Sequence, residues 1–332
     1  MKFNLKKNFS DCIGNTPIIK LKIASELSGC EIYGKCEFLN PGGSVKDRPA
    51  LQIIKDAIKK KKIETGGTIV EGTAGNTGIG LCLVGNSIGM NSIIVMPRTQ
   101  SNEKKKMLKL CGAKLKLVDA LPYKNPGNYI RYSETLAKSI TNKHGVLWAN
   151  QFDNLSNKKS HYLTTGPEIY NQLSQKVDAF ICSIGTGGTI SGVSDFLKEK
   201  NKNIVIGLAD PMGSAMHNFY KNGKLKSTGS SITEGIGQGR ITRNLENTVI
   251  DESFQITDTE ALNIVYEMVR KEGLILGGSS GVNIMGAVKL GKLIGPNKKI
   301  VTILCDYGTK YESKIFNKKF LKDKELPIPE WL

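Results

Sequence analysis

Val177-Asp178-Ala179-Phe180-Ile181-Cys182-Ser183-Ile184-Gly185-Thr186-Gly187-Gly188-Thr189-Ile190 is the stretch on which the reading of the chain turns. Apolar residues run almost unbroken from Val177 to Ile184, the pattern of a strand buried on both faces, and Ile190, Val193 and Leu197 then recur at helical spacing. A buried strand that turns through glycines into a helix is the unit of a parallel sheet. The same unit recurs on both sides of it. β-Branched runs at Thr68 to Glu71, Ser92 to Met96, Lys114 to Val118, Asn203 to Leu208 and Ile300 to Cys305 alternate with helical patterns. Leu51, Ile54 and Ile58 form one such pattern, and Ala261, Ile264, Val265 and Met268 another. The expected fold is therefore α/β with mostly parallel sheets. A length of 332 residues suggests two domains, at roughly 100–200 residues each. Asp119 to Asn128 and Pro211 to Gly239, rich in turn residues, read as loops bordering a site.

Gly185 to Thr189 places three glycines and two hydroxyls at a helix N-terminus. Backbone N–H groups, the positive end of the helix dipole and the lack of Cβ atoms suit an anion there, a phosphate above all. A P-loop is excluded because the Lys-Ser/Thr pair is missing. A dinucleotide fingerprint nearly fits, with Asp210 closing the next strand as a ribose-binding acid, but Ile190 holds the third glycine position. Taken alone, the loop is either a phosphate cradle or a tight structural turn.

Three more glycine clusters sit before helical patterns. In Asn40-Pro41-Gly42-Gly43-Ser44-Val45-Lys46-Asp47-Arg48, ahead of a helix over Pro49 to Lys62, Lys46 falls where the helix dipole disfavours a cation. It reads either as an amine freed for nucleophilic work or as one surface lysine among many. Glu71-Gly72-Thr73-Ala74-Gly75-Asn76-Thr77-Gly78 offers backbone donors and hydroxyls suited to a carboxylate. Leu276-Gly277-Gly278-Ser279-Ser280-Gly281-Val282-Asn283 precedes a helix over Ile284 to Leu293, and its simplest reading is a serine N-cap.

Composition narrows the classes further. With 39% hydrophobic and 23% charged residues the chain is globular, which excludes wholesale disorder. The net charge of +17 raises nucleic acid, yet Lys59 to Lys62 and Lys104 to Lys106 fall on expected helix surfaces without interleaved aromatics, as solvated faces do. No nucleic acid partner is expected. No apolar run is long enough to span a membrane, and the basic start Met1 to Lys7 leads into no apolar segment, so neither membrane nor signal peptide is expected. Seven scattered cysteines without a Cys-x-x-Cys pair suggest a reducing cytoplasm. His144, His161 and His217 are too dispersed for a metal site and read as structural.

The motifs also stand in a telling order: Gly14-Asn15-Thr16-Pro17, Asn40 to Arg48, Gly75 to Gly78, Met96-Pro97 leading to Ser101 and Glu103, Gly185 to Thr189, Glu234-Gly235-Ile236-Gly237, and Gly278 to Gly281. In this combination the chain resembles the cysteine synthase (O-acetylserine sulfhydrylase) and cystathionine β-synthase family of pyridoxal-phosphate enzymes. The resemblance is nearer to the cysteine synthases and runs from about residue 10 to residue 310. It implies two doubly wound, mostly parallel open sheets with the cofactor between them, the fold-type II arrangement of the tryptophan synthase β-subunit. It implies a smaller, mobile domain at 38–148 with a substrate-carboxylate loop, and a larger one at 10–37 plus 149–332 with the phosphate loop.

By the same resemblance Lys46 is the catalytic residue and carries the cofactor as a Schiff base, and Gly185, Thr186, Gly187, Gly188 and Thr189 hold its phosphate. Asn76 bonds the ring's O3′ and Ser279 its pyridine nitrogen. A neutral hydroxyl leaves that nitrogen unprotonated, which suits β-elimination. Thr73, Ala74, Gly75, Thr77 and Gln151 take the substrate carboxylate, and Gly235 borders the approach to the β-carbon. The implied reaction is β-replacement on an activated L-serine, O-acetyl-L-serine first, with sulfide to give L-cysteine, without a metal. Serine with homocysteine, or O-phosphoserine, are the alternatives. A homodimer and a contact with serine acetyltransferase are implied as partners.

Two departures touch specificity. Ala74 stands where many members carry Ser, and Gly235-Ile236-Gly237-Gln238-Gly239-Arg240 lacks the aromatic and Ile-Pro pattern of some relatives. Arg240 reads either as a partner for a leaving phosphate or as an arginine on a solvated loop. Gly75-Asn76-Thr77-Gly78 also departs from the Gly-Asn-His form that serine and threonine dehydratases favour.

Overall fold

Ten strands form two separate sheets among residues 5–332, the residues that the computed structural model describes. Met1 to Asn4, where the basic start of the chain begins, lie outside the described residues. The larger sheet contains β1 (Ile18–Lys20), β2 (Glu31–Cys36), β7 (Ala179–Cys182), β8 (Val205–Pro211), β9 (Glu252–Ile256) and β10 (Lys299–Leu304). Their order is β1-β2-β10-β7-β8-β9, and every pairing is parallel except that of β1 with β2. The smaller sheet contains β3 (Thr68–Gly72), β4 (Asn91–Pro97), β5 (Lys114–Val118) and β6 (Val146–Trp148) in the order β5-β4-β3-β6, all parallel.

Alternate residues of the central strands enter different cores, which is why these strands are largely apolar. On β7, Ala179 and Ile181 pack with one cluster and Phe180 and Cys182 with another; on β10, Ile300 and Leu304 oppose Val301 and Ile303 in the same way. Burial of each large apolar side chain stabilises the fold by about 1.5–3 kcal/mol. Helices cover both faces, as the doubly wound reading requires.

Strand order positions the site. The chain winds from β7 to β8 to β9 on one side of β7, while β10 lies on the other. In the smaller sheet it winds from β3 to β4 to β5, and β6 lies on the other side of β3. At such reversals neighbouring loops diverge and leave a crevice at the carboxyl ends of the strands. The crevice of the larger sheet falls between Gly185–Thr189 after β7 and Cys305–Asp306 after β10. That of the smaller falls between Thr73–Thr77 after β3 and Gln151 after β6.

Several expected boundaries move. The helix expected over Ile284 to Leu293 spans Gly278–Ile294, so Ser279 lies in its first turn and Gly277 is the cap. Its glycines are packing positions: a Cβ at Gly281 would lie 2.2 Å from Ala261 O, and one at Gly286 2.4 Å from Ala209 Cβ. The helix expected from Pro49 starts at Asp47, with Pro49 in the first turn where its missing N–H costs nothing. Its buried stripe is Ala50, Ile53, Ile54 and Ala57, with Ile58 exposed. The stretch Pro211 to Gly239 is not all loop, since a helix spans Met216–Asn222. No helix among the described residues is long and apolar enough to cross a membrane.

Candidate active site

The two crevices open into one cavity of about 520 Å³. Lys46, Asn76, Gly185, Thr186 and Ser279 line it, as do Thr73, Ala74, Gly75, Thr77, Gln151 and Gly235. Beneath it a narrow recess is bounded by Gly185, Thr186, Gly187 and Thr189, by Ser183 and Asn283, and again by Lys46. Gly188 borders neither; a Cβ there would lie 2.0 Å from Asn157 Oδ1, so it backs the loop instead of facing the recess.

Lys46 is the last residue before helix Asp47–Lys59. Its turn is stitched to β10, with the Val45 N–H donating to Cys305 O (2.9 Å) and Ser44 bridging Asp306. Two residues on, the Arg48 guanidinium holds Glu37 (2.7 Å) and Glu168 (2.7 Å), and the buried Lys35 ammonium also reaches Glu168 (2.7 Å). Burial alone would raise both carboxyls, but the Arg48 charge keeps each below its ordinary range. This ionic cluster fixes the helix that presents Lys46.

In the recess loop the carbonyls are committed on one side: Ile184 O accepts from the Gly237 N–H (2.9 Å), Gly185 O from Gln238 Nε2 (2.9 Å) and Thr186 O from Thr242 Oγ1 (2.8 Å). Helix Gly188–Lys200 begins there, and the N–H groups of its first turn lack intrahelical acceptors. Gly187 caps it at φ +85°, where a Cβ would also lie 2.4 Å from Leu245 Cγ. His161, read from the sequence as structural, joins this loop. It is fully buried, with Nε2 3.2 Å from Thr189 Oγ1 and Nδ1 2.9 Å from Thr165 Oγ1. Burial, helped by the Arg48 and Lys46 charges, holds its imidazole well below the usual range and therefore neutral.

Across the cavity Thr77 Oγ1 donates to Gln151 Oε1, and Gln151 Nε2 donates to Gly72 O (3.3 Å). The Asn157 amide, missed in the sequence, donates both to Gln151 O (2.9 Å) and to Thr186 Oγ1 (2.8 Å), tying the carboxylate side to the recess loop. Glu234, quoted only as part of a motif, is a buried hub that accepts from Lys104 Nζ (2.8 Å), Lys314 Nζ and the Ser101 N–H (3.0 Å). Burial pushes its carboxyl up, but the two lysines hold it below its ordinary range. Lys104 is thus not on a solvated face: it is buried, while Lys59 to Lys62 are exposed as expected.

Two sequence candidates lie elsewhere. Arg240 forms a paired contact with Asp153 (3.0 and 2.8 Å) and stacks on Tyr123, and it does not line the cavity. Asp210 accepts from the His217 N–H (2.8 Å), and no part of the recess beside Gly185 is formed by it. That removes the ribose-binding acid of the dinucleotide reading.

Lys46 lines both the recess at a helix N-terminus and the cavity beside the Thr73–Thr77 loop, between two mostly parallel sheets, an arrangement suited to pyridoxal phosphate. Residues 9–306 match the pyridoxal-phosphate dependent enzyme family, and the chain belongs to it. It is 47% identical to cysteine synthase 1 of Neurospora crassa, covering 99% of this chain and 88% of that protein. It is 46% identical to cysteine synthase 1 of Emericella nidulans, covering 97% and 88%. The crystal structure of an O-acetylserine dependent cystathionine beta-synthase from Helicobacter pylori superposes with a TM-score of 0.84 at 33% identity, covering 94% of this chain and 99% of that one.

The donor set fits the cofactor. The recess at the start of helix Gly188–Lys200 suits a phosphate dianion, Lys46 borders both recess and cavity, and the Ser279 hydroxyl stands on the cavity wall.

Proposed function

We propose that the protein makes L-cysteine by β-replacement, joining sulfide to the β-carbon of O-acetyl-L-serine with release of acetate. The observation that carries this reading is the position of Lys46 on the walls of both the anion recess and the cavity that holds the carboxylate loop. The full-length likeness to cysteine synthases supports the substrates.

Bound pyridoxal phosphate supplies an aldehyde for amines and a ring that acidifies the α-carbon. In this reading Gly185, Thr186, Gly187 and Thr189 bind its phosphate, with Gly188 as backing, and Lys46 Nζ tethers it. The Asn76 amide orients the ring, and the Ser279 hydroxyl donates to the ring nitrogen. The loop Thr73 to Thr77, with the Gln151 amide fixed by Thr77, binds the substrate carboxylate. Lys46 Nζ, once free of the cofactor, would accept the substrate's α-proton and return it to the product. Ala74 contributes its backbone alone, so the carboxylate is held without a serine hydroxyl at that position. Gly235 lies on the wall past which the nucleophile enters.

β3 to β6 all fall within residues 38–148, which supports treating that segment as the smaller unit that closes on the carboxylate and excludes water. The larger unit is then 10–37 plus 149–332. Arg240, tied to Asp153, favours acetate over phosphate as the leaving group. The free cysteines suit a reducing cytoplasm. A homodimer and a serine acetyltransferase contact belong to the same reading through the family resemblance.

The test is to supply the purified holoenzyme with O-acetylserine, O-phosphoserine or serine, each with sulfide or homocysteine, and measure amino-acid products. Cysteine from O-acetylserine and sulfide should dominate, and Lys46→Ala should abolish it. Faster cystathionine formation, or full turnover by Lys46→Ala, overturns the assignment.

A further inference from the structure

Asn76 is gripped at both ends by residues that none of the sequence motifs pointed to. Its Nδ2 donates to Asp306 Oδ2 (2.6 Å), and its Oδ1 accepts from Lys310 Nζ (3.1 Å). A carboxylate is acceptor-only and an ammonium donor-only, so this pair admits one orientation of the carboxamide and forbids its flip. One N–H of Asn76 is left for a ligand.

Each gripping residue is itself held. Asp306 is buried at the end of β10, and its Oδ2 also accepts from the Tyr311 hydroxyl (2.7 Å). The other two protons of Lys310 go to Gly42 O (3.1 Å) and Gly43 O (2.9 Å), in the turn that leads to Lys46. One ammonium thus joins the Lys46 turn to the Asn76 loop from a segment 234 residues beyond Asn76. Burial lowers the Lys310 ammonium, while Asp306 and Asp47 support its charge and Lys104 opposes it.

We propose that Lys310 and Asp306 are positioning residues that set the Asn76 carboxamide against the cofactor ring, with Lys310 polarising the amide through its oxygen. This rests on the reading above in which Asn76 touches the ring. An amide whose oxygen is bonded to a cation has more acidic N–H groups, so its bond to the ring oxygen strengthens cooperatively. Loss of the Lys310 charge weakens that bond without removing it.

The experiment compares holoenzymes of wild type, Asn76→Ala, Lys310→Met, Lys310→Arg, Asp306→Asn and Asn76→Ala/Lys310→Met. The readouts are the visible absorbance and circular dichroism of the bound cofactor, thermal unfolding, and the rate of acetate release. Asn76→Ala should move the visible band, Lys310→Met should move it less in the same direction, and Lys310→Arg should return it toward wild type. Acetate release should fall roughly tenfold in Lys310→Met, the upper end for one hydrogen bond. In the double variant the band should move no further than in Asn76→Ala alone, because Lys310 acts through Asn76.

A Lys310→Met holoenzyme that melts lower but keeps the wild-type band and dichroism overturns the proposal, as does an additive shift in the double variant. Should Lys310→Met fail to fold, Asp306→Asn decides: a moved band supports the proposal, and an unmoved one overturns it. An unmoved band in Asn76→Ala would show instead that the ring placement itself is wrong, and the proposal falls with it.

Discussion

Glu71 lies on β3, wholly buried two residues before Thr73 and with one carboxylate oxygen unpaired. Burial pushes its carboxyl up to about 8, against the opposing pull of Gln151 and Asn150. A carboxyl raised above its unfolded value favours the fold while protonated, and this contribution is lost as pH rises from the unfolded pKa through about 8. Glu71→Gln should therefore gain melting temperature relative to wild type from pH 5 to pH 8 and hold a constant advantage above that, which calorimetry across pH reads directly. Ser279 permits a second residue-scale test. Its neutral hydroxyl sits in the first turn of helix Gly278–Ile294. Ser279→Ala removes one hydrogen bond, about 0.5–1.5 kcal/mol net. Ser279→Asp places an anion against the ring nitrogen and raises its basicity. The rate of acetate release should run wild type, then Ala, then Asp; equal rates for Asp and wild type would remove Ser279 from the ring. Ser279 and Asn76 were legible in the sequence because both belong to glycine-flanked motifs. Lys310 and Asp306 were not, because only the end of β10 brings them beside Asn76.

At the scale of elements, the start of each helix decides what the site presents. Helix Gly188–Lys200 opens on Gly187, whose positive φ and contact with Leu245 exclude a side chain before any charge is considered. Gly187→Ala should already abolish cofactor retention, measured as bound pyridoxal phosphate after dialysis. Helix Asp47–Lys59 is anchored by Arg48 between Glu37, just after β2, and Glu168 of helix Gly166–Gln172. Removing one partner from a buried ion pair leaves an uncompensated charge and costs about 3–5 kcal/mol. Arg48→Met should lower unfolding stability by that order in denaturant titrations and reduce activity with it. The sequence placed both helices, since hydrophobic spacing sets where a helix runs. It misjudged the start of Gly278–Ile294, where Gly281, which looks like part of a turn, serves close packing on Ala261.

The whole molecule brings the ends of two sheets together, and Glu234 is the clearest tie between them. It joins Ser101 and Lys104, which follow β4 of the smaller sheet, to Lys314 beyond β10 of the larger. The Gln100 amide lies between Glu234 and Ala74 O of the carboxylate loop, and only with its nitrogen facing them can it donate, to Glu234 Oε2 (3.1 Å) and to Ala74 O (3.3 Å). Glu234→Gln keeps the shape and removes the charge that the buried Lys104 and the half-buried Lys314 face. KM for O-acetylserine should rise about tenfold with a smaller change in kcat, and steady-state kinetics at fixed sulfide checks the split. An unchanged KM would mean that this tie does not support the carboxylate loop.

The sequence by itself determined the parallel α/β class, the glycine loops and the lysine between them. Apolar runs, helical spacing and glycine-rich junctions are local, and backbone sterics and dipoles act over a few residues. Only the tertiary structure decided that Gly188 backs its loop, that Arg240 is spent on Asp153, that Lys104 is buried, and that His161, Asn157, Asp306 and Lys310 stand around the cavity. Charge pairing and burial depend on which strand ends meet. That follows from the strand orders β1-β2-β10-β7-β8-β9 and β5-β4-β3-β6, which join residues more than two hundred positions apart and leave no local trace in the chain.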